Sequence, residues 1–349
     1  MTTTDSRTGE ERKAEQTSGG VPGGEAERPT QIPPKGWVQV VKRGFKEAKA
    51  DQVPLLSAGV AFYAFLALFP ALIAIVSLYG IFADPTTIAV QIESLGQTLP
   101  DAARQLIVDQ VNQLAARRRA LSIGAFIGIV IALFSASGGM QNLVSAVNTA
   151  YDEEEKRNFV KKRLRALVWT FGAIIFMVIM LAFVAVLPPV LEQLFGSGAI
   201  RWVFQILGYI VLFLIVTLAL AILYRYAPDR DAPKVKWVSI GALVATLIWL
   251  LASIGFSIYT TTFGNYAKTY GTFAGIVILL FWLWLTSYAI LLGAEINAET
   301  EQQTIVDTTK GPPEPLGERG AVKADSVPPE DPEMADAELA EKDRTSRTQ

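Results

Sequence analysis

The stretch GVAFYAFLALFPALIAIVSLYGIFADP, Gly59 to Pro85, constrains the fold more than any other. No charge interrupts it before Asp84, and towards the N-terminus the uncharged run extends back to Gln52. A helix crosses the ~30 Å hydrocarbon core of a bilayer with about 20 apolar residues, whereas runs of roughly 10–14 suit a buried soluble helix. Each Leu, Ile, Phe or Val in the run favours insertion by about 0.3–0.6 kcal/mol. Pro70 sits near the centre and would end a helix in water. In a membrane bundle, packed neighbours re-satisfy the carbonyl it frees, so a kinked span is expected.

Five further runs lack Asp, Glu, Lys and Arg: Ala120–Tyr151, Ala166–Leu191, Trp202–Tyr224, Trp237–Ala267 and Thr269–Ala294. Each passes the same length test. The fold expected is therefore all-α, a polytopic membrane helix bundle with six transmembrane helices. The spans fall at about 55–82, 121–149, 166–189, 202–224, 237–259 and 272–296. Composition agrees: 51% of residues are hydrophobic, 18% are charged and mean hydropathy is +0.34, too apolar for a soluble chain.

Cysteine and histidine are both absent. That removes thiol nucleophiles, imidazole bases and the usual zinc ligands together, so no catalytic residue, metal or cofactor is expected. Residues 1–34 are polar and carry no apolar leader, so the first span is expected to serve as its own insertion signal.

Those 34 residues are rich in Gly, Pro, Glu and Thr, and the acidic segment 303–349 is broken by prolines. Neither has enough apolar surface to offset ordering entropy, and both are expected to be disordered tails around a membrane domain spanning 35–302. In KGWVQVVKRGFKEAKAD, Val38, Val41, Phe45 and Ala48 recur at helical spacing, with Lys42, Arg43, Lys46 and Lys49 on another face. That pattern fits an interfacial helix on anionic headgroups, or a solvated helix preceding the first span.

Lysine and arginine are concentrated in alternate loops. The N-terminal flank and the loops after spans 2 and 4 carry 15, the remaining loops 6. By the positive-inside rule, both termini are expected to face the cytoplasm. In the first external loop, Ile88, Ile92 and Leu95 form one apolar stripe, and Ala103, Ile107, Val111 and Leu114 another. Two short amphipathic helices are expected there. Arg117–Arg119 breaks the charge rule.

Two places carry candidate polar chemistry. In the second span, Ser135, Gly138, Gly139, Asn142, Ser145 and Thr149 share one helical face. Small residues permit close backbone approach, and polar ones in lipid must face protein or water. The stripe is either a packing seam, with Asn142 bonded across helices, or the wall of a polar path. Gly241/Ala245 repeats the small-xxx-small spacing and reads as packing. In the last span, Ser287, Leu291 and Glu295 stack on one face. A carboxylate there is costly unless paired or hydrated, so Glu295 is a candidate for proton or cation coupling, or one half of a rim ion pair with Arg225 or Arg165. Between spans 2 and 3, the basic run that includes Arg157, Arg163 and Arg165 is expected to meet lipid headgroups rather than nucleic acid.

The segments GVAFYAFLALFPALIAIVSLYGIF, ASGGMQNLVSAVNTAYDEEEKRNFVKKRLRAL and FGNYAKTYGTFAGIVILLFWLWLTSYAILLGAEIN together resemble the YihY / virulence factor BrkB family, over about residues 36–300. The specific pieces are Tyr63 and Pro70, the AVNTAY helix end followed by Arg157 and Arg163, the Tyr270–Gly271 turn, and GAEIN with Glu295 and Asn297. The resemblance implies a six-span bacterial inner-membrane protein. Some relatives have carried a ribonuclease label, which this sequence does not support: a nuclease needs an acid–base pair or a carboxylate cluster. The expectation is a non-enzymatic membrane protein that translocates a lipid or small amphiphile, with membrane lipids as partners and a homo-oligomer left open. The alternative is a scaffold or envelope assembly factor that transports nothing.

Overall fold

The computed structural model describes residues 21–82, 123–196, 199–262 and 272–326, and among them the regular elements are all helices, with no strand. Helix α1 (Pro34–Ala50) opens at a Pro-Pro pair, where a missing N–H goes unnoticed and φ is preset. The spans follow as α2 (Val53–Phe82), α3 (Ile123–Ala150), α4 (Phe159–Phe195), α5 (Ala199–Tyr226), α6 (Val235–Thr262) and α7 (Thr272–Gln302). Five of these are long and apolar enough to cross a bilayer singly, and α1 with the first part of α2 makes a sixth as a bent pair. Each of the six expected spans falls on one of the helices α2 to α7, most of which run longer at one or both ends.

Helix α2 continues through Pro70 as one assigned helix. The sharp bend lies earlier, 64° between α1 and α2. Gln52 makes that corner with φ of 53°, a left-handed conformation that costs a non-glycine residue about 1–2 kcal/mol.

Helix α7 is the hub, packing against α1, α2, α3 and α6. The chain closes a ring in which α3 touches α2 and α4, and α5 touches α4 and α6. Helices α4 and α5 are peripheral and leave broad apolar faces bare, among them Leu164, Val168, Phe171, Val203, Leu207 and Leu214. Without a hydrophobic drive between helices in lipid, the ring is held by close packing and polar rungs. Thr217 Oγ1 lies 3.1 Å from Thr246 Oγ1, Trp249 donates to Thr286 Oγ1 at 3.2 Å, and Trp284 donates to the Pro54 carbonyl at 2.9 Å.

Helix α1 differs from expectation. Gly36, Val40, Gly44 and Ala48 are its buried face, while Val38, Val41 and Phe45 stay exposed beside Lys35, Lys42 and Lys49. The small residues explain the choice. A Cβ on Gly44 would lie 3.2 Å from Ile296 Cγ1, so glycine sets the approach of α1 to α7.

The two flanking segments also differ. Residues 21–34 and 303–326 are not loose appendages: they pack together over the end of α7. Gln303 donates to the Pro22 carbonyl, the Ile305 N–H to Gly24, and Thr304 Oγ1 to Ala26. Thr309 pairs with Pro233, and the Lys310 and Lys234 N–H groups exchange bonds with Ala232 and Thr308. Arg319, 5% exposed, donates to the carbonyls of Ile305, Glu314 and Ala324. Hydrogen-bonded closure adds here to a small apolar cluster of Ala26 and Ile32 on Trp237, and composition alone hides it. The ends of the two tails, the first external loop with its two amphipathic stripes and Arg117–Arg119, and the Tyr270–Gly271 turn lie outside the described residues.

Candidate functional site

About three turns at the end of α7 are wholly enclosed: every residue from Leu291 to Glu301 is buried. Helix α1, the ends of α3 and α5, the start of α6 and both flanking segments surround them.

The first layer is a close seam. A Cβ on Gly241 would fall 2.3 Å from Asn297 Cβ, and one on Gly293 2.4 Å from Ala245 Cβ. The Gly241/Ala245 spacing is thus the packing surface it was expected to be, with GAEIN as its partner. At this contact Asn297 accepts from the Gly241 N–H at 3.1 Å and donates to Tyr151 Oη at 2.8 Å. Tyr224 Oη donates to the Ile290 carbonyl at 2.7 Å. Asn297 therefore ties α6, α7 and the end of α3 through one side chain.

The second layer is ionic. Arg43 Nε lies 2.6 Å from Glu299 Oε2, and its Nη2 donates to Gln303 Oε1. Lys323 bridges Glu299 Oε1 at 2.7 Å and Asp152 Oδ2 at 3.0 Å. Arg230 Nη2 meets both oxygens of Glu301, with its guanidinium 4.4 Å from the Tyr151 ring centre. Burial works against the Lys323 ammonium, yet Glu299 and Asp152 hold its pKa well above the ordinary lysine value. Burial likewise opposes charge on Arg230, and Glu301 outweighs it. Tyr151 is pushed above its usual range by burial, then by Glu301.

Glu295 stands apart. It is 1% exposed, and neither carboxylate oxygen has a hydrogen-bond partner. The charges acting on it are Asp51, Lys323, Glu299 and Glu47. The two expected partners are elsewhere. Arg165 is exposed on the outer face of α4, and Arg225 lies over the Tyr226 ring at 5.2 Å.

The second-span stripe is split by the structure. Gly139 is buried, and a Cβ there would come 3.0 Å from the Tyr63 carbonyl of α2, which makes it a packing glycine. Ser135 and Ser145 are exposed, and Asn142 donates to the Gly138 carbonyl of its own helix at 2.9 Å, not across helices. The interior face of α3 is instead Ala132, Ala136, Ser137, Val144, Val147 and Asn148. Helical spacing identified a shared face but not which way it turns, since small and polar residues suit either side.

The basic run divides too. Arg157 is held by Glu155 and, at 3.1 Å, by Asp229 Oδ1. Arg163 turns back to the Phe134 carbonyl, with its guanidinium 3.8 Å from that ring's centre. Phe134 lies about 24 Å before the end of α3 at 1.5 Å per residue. The stretch 151–158 stays at the end of α3, where the Glu153 N–H reaches the Asn148 carbonyl and Glu155 accepts from the Asn148 amide, so the first turn of α4 and the length of the Arg163 side chain together span back to Phe134. Asn158 then caps α4, accepting from the Lys161 N–H at 2.9 Å.

Glu299, Glu301, Arg230 and Lys323 were not singled out as site residues in the sequence, and Arg43 and Tyr151 stood out only as part of a basic face and of the AVNTAY helix end. For Glu299 a signal existed: at i+4 it continues the face of Glu295 one turn past the apolar run, whereas Glu301, at i+6, falls on another face. For Arg230 and Lys323, in a loop and a Pro-broken tail, none did.

A family model described as virulence factor BrkB matches residues 44–316. A Bacillus subtilis protein named ribonuclease-like protein YfkH is 33% identical over 69% of this chain and 88% of its own length. A UPF0761 membrane protein of Alteromonas mediterranea is 25% identical over 72% of this chain and 84% of its own length, and one of Ralstonia nicotianae is 25% identical over 72% and 56%. No solved structure matches. With its enclosed GAEIN helix end and its apolar spans inside the matched region, the chain belongs to the virulence factor BrkB family of bacterial membrane proteins.

Proposed function

We propose that the chain translocates a lipid or another small amphiphile across the bacterial membrane, with Glu295 as the group whose charge or pairing changes during the cycle. The supporting observation is the isolation of that carboxyl. Its neighbours Glu299 and Glu301 each contact a cation, while Glu295 is equally buried and has no hydrogen-bond partner. An unpaired buried carboxylate costs several kcal/mol, so a site that keeps one is set up to take a proton or a cation, or to borrow a partner. In this reading both termini are cytoplasmic, as the lysine and arginine distribution implies, and the capped end is a closed inner gate.

The test is Glu295→Gln. The variant should insert, accumulate and elute as wild type, yet lose flux of fluorescent phospholipid in proteoliposomes. Wild-type flux in that variant would remove the proposal. The ribonuclease-like name belongs to the Bacillus relative, and in this reading purified protein leaves labelled RNA intact.

A second reading, a scaffold that recruits partners, is favoured by the folded cap built from residues 21–34 and 303–326. It requires surface changes on the cap to abolish complementation while Glu295→Gln leaves it intact.

A further inference from the structure

We propose that a cleft at the start of α4 binds the phosphate headgroup of an anionic phospholipid, whose acyl chains run along the outer face of that helix. The inference is independent of whether the chain transports anything. The cleft has a volume of about 460 Å³ and is lined by Arg157, Lys161, Leu164, Arg165, Val168 and Asp229. Three cations face one carboxylate, and that carboxylate is already committed. Asp229 accepts from Arg157 and from the Lys156 N–H, and Arg157 is further held by Glu155. Lys161 and Arg165 are left exposed, with no ion pair among the described residues. The cleft therefore carries two uncompensated cations on a floor fixed by a third.

The apolar part gives the ligand its class. Leu164 is 60% and Val168 64% exposed, and Phe171 and Ile175 continue the same helical face. A soluble phosphate would use the cations and leave this ladder bare. A phospholipid satisfies both, with its phosphate between Lys161 and Arg165 and its chains over Leu164, Val168, Phe171 and Ile175. Depth agrees: exposed apolar surface on α4 begins at once with Phe159 and Val160, directly beside the cations of the cleft. Long basic side chains placed there reach headgroups while their stems stay on apolar surface.

The test uses full-length protein in mild detergent, with native mass spectrometry to count retained lipid. Phosphatidylglycerol should be retained over phosphatidylcholine by about tenfold or more, a range set by two basic contacts near a membrane surface. Lys161→Gln/Arg165→Gln should abolish the preference while eluting as wild type, and Lys42→Gln/Lys49→Gln on the exposed face of α1 should keep it. Leu164→Ser/Val168→Ser should weaken retention of both lipids. No preference in wild type, an unchanged preference in the Lys161/Arg165 variant, or full displacement by millimolar glycerol phosphate would each overturn the proposal, the last by making the ligand a soluble phosphate.

Discussion

Arg230 and Glu301 meet with Nη2 2.7 and 2.9 Å from the two carboxylate oxygens, and neither side chain has exposed surface. The pair joins the loop after α5 to the last turn of α7. Its attraction largely offsets the desolvation of two charges, so the pair as a whole adds little, but half of it is expensive. Glu301→Leu should destabilise by about 3–5 kcal/mol, because the Arg230 charge would be stranded, and Arg230→Met/Glu301→Leu should recover most of that. Thermal unfolding in detergent, followed by tryptophan fluorescence, checks this. A single variant as stable as wild type would show that the pair is not buried in the membrane-embedded protein.

The seam between α6 and α7 makes a prediction of opposite sign for two glycines. A Cβ at Gly241 collides with Asn297 Cβ at 2.3 Å and the Gly293 carbonyl at 2.6 Å, so Gly241→Ala should force the helices apart and loosen the Asn297 bridge. At Gly59 an added Cβ meets nothing within 4 Å. There alanine gains about 0.5–1 kcal/mol of helix propensity. Melting temperature should fall for Gly241→Ala and hold or rise for Gly59→Ala. The same direction of change at both sites would count against the seam.

What was legible in the sequence followed from length and sign. Six uncharged runs fixed six helices because backbone groups in lipid must be satisfied within the helix, which leaves little else for such runs to do. The site was half visible. Glu295 and Asn297 stood out as polar residues at the end of an apolar run, and both are buried where α7 is enclosed. Their partners were not readable. Arg230 and Lys323 are brought in by a loop and a tail whose local composition matches a solvated chain. The face of α3 was misjudged for a related reason: Ser135 and Ser145 look like an interior polar stripe only if their direction is assumed.

Acid should loosen the cap before it loosens the spans. Burial alone would raise the Asp307 pKa, but hydrogen bonds from the Thr309 hydroxyl and the N–H groups of Thr309 and Glu314 hold it below the ordinary carboxylate value. A carboxyl depressed in the folded state adds stability above its unfolded pKa of about 4 and loses it as pH falls through the lower folded value. Limited proteolysis in the 303–326 segment should accelerate below about pH 4 and be flat between pH 6 and 8. Asp307→Asn should show accelerated cleavage at neutral pH, and a variant as resistant as wild type would contradict the role given to this carboxylate.

Lys323 offers the sharpest test of whether the C-terminal segment is part of the folded unit. It is 3% exposed and holds Glu299 Oε1 and Asp152 Oδ2, so one tail residue closes the gap between α7 and the turn after α3. Its raised pKa places loss of this bridge far above neutrality: an ammonium stabilised by folding contributes fully below its unfolded pKa of about 10.4, and only strong alkali removes it. Lys323→Met removes the charge but keeps most of the stem. Glu299 would retain Arg43, whereas Asp152, with φ of 57°, would lose the contact that helps hold its left-handed turn. The expected result is a loss of about 3–5 kcal/mol, the range for breaking a buried pair from one side. Lys323→Arg should recover only part of it, since a planar fork does not replace a compact ammonium between two acceptors. A Lys323→Met protein with wild-type stability would mean that residues 303–326 rest on the bundle without bracing it.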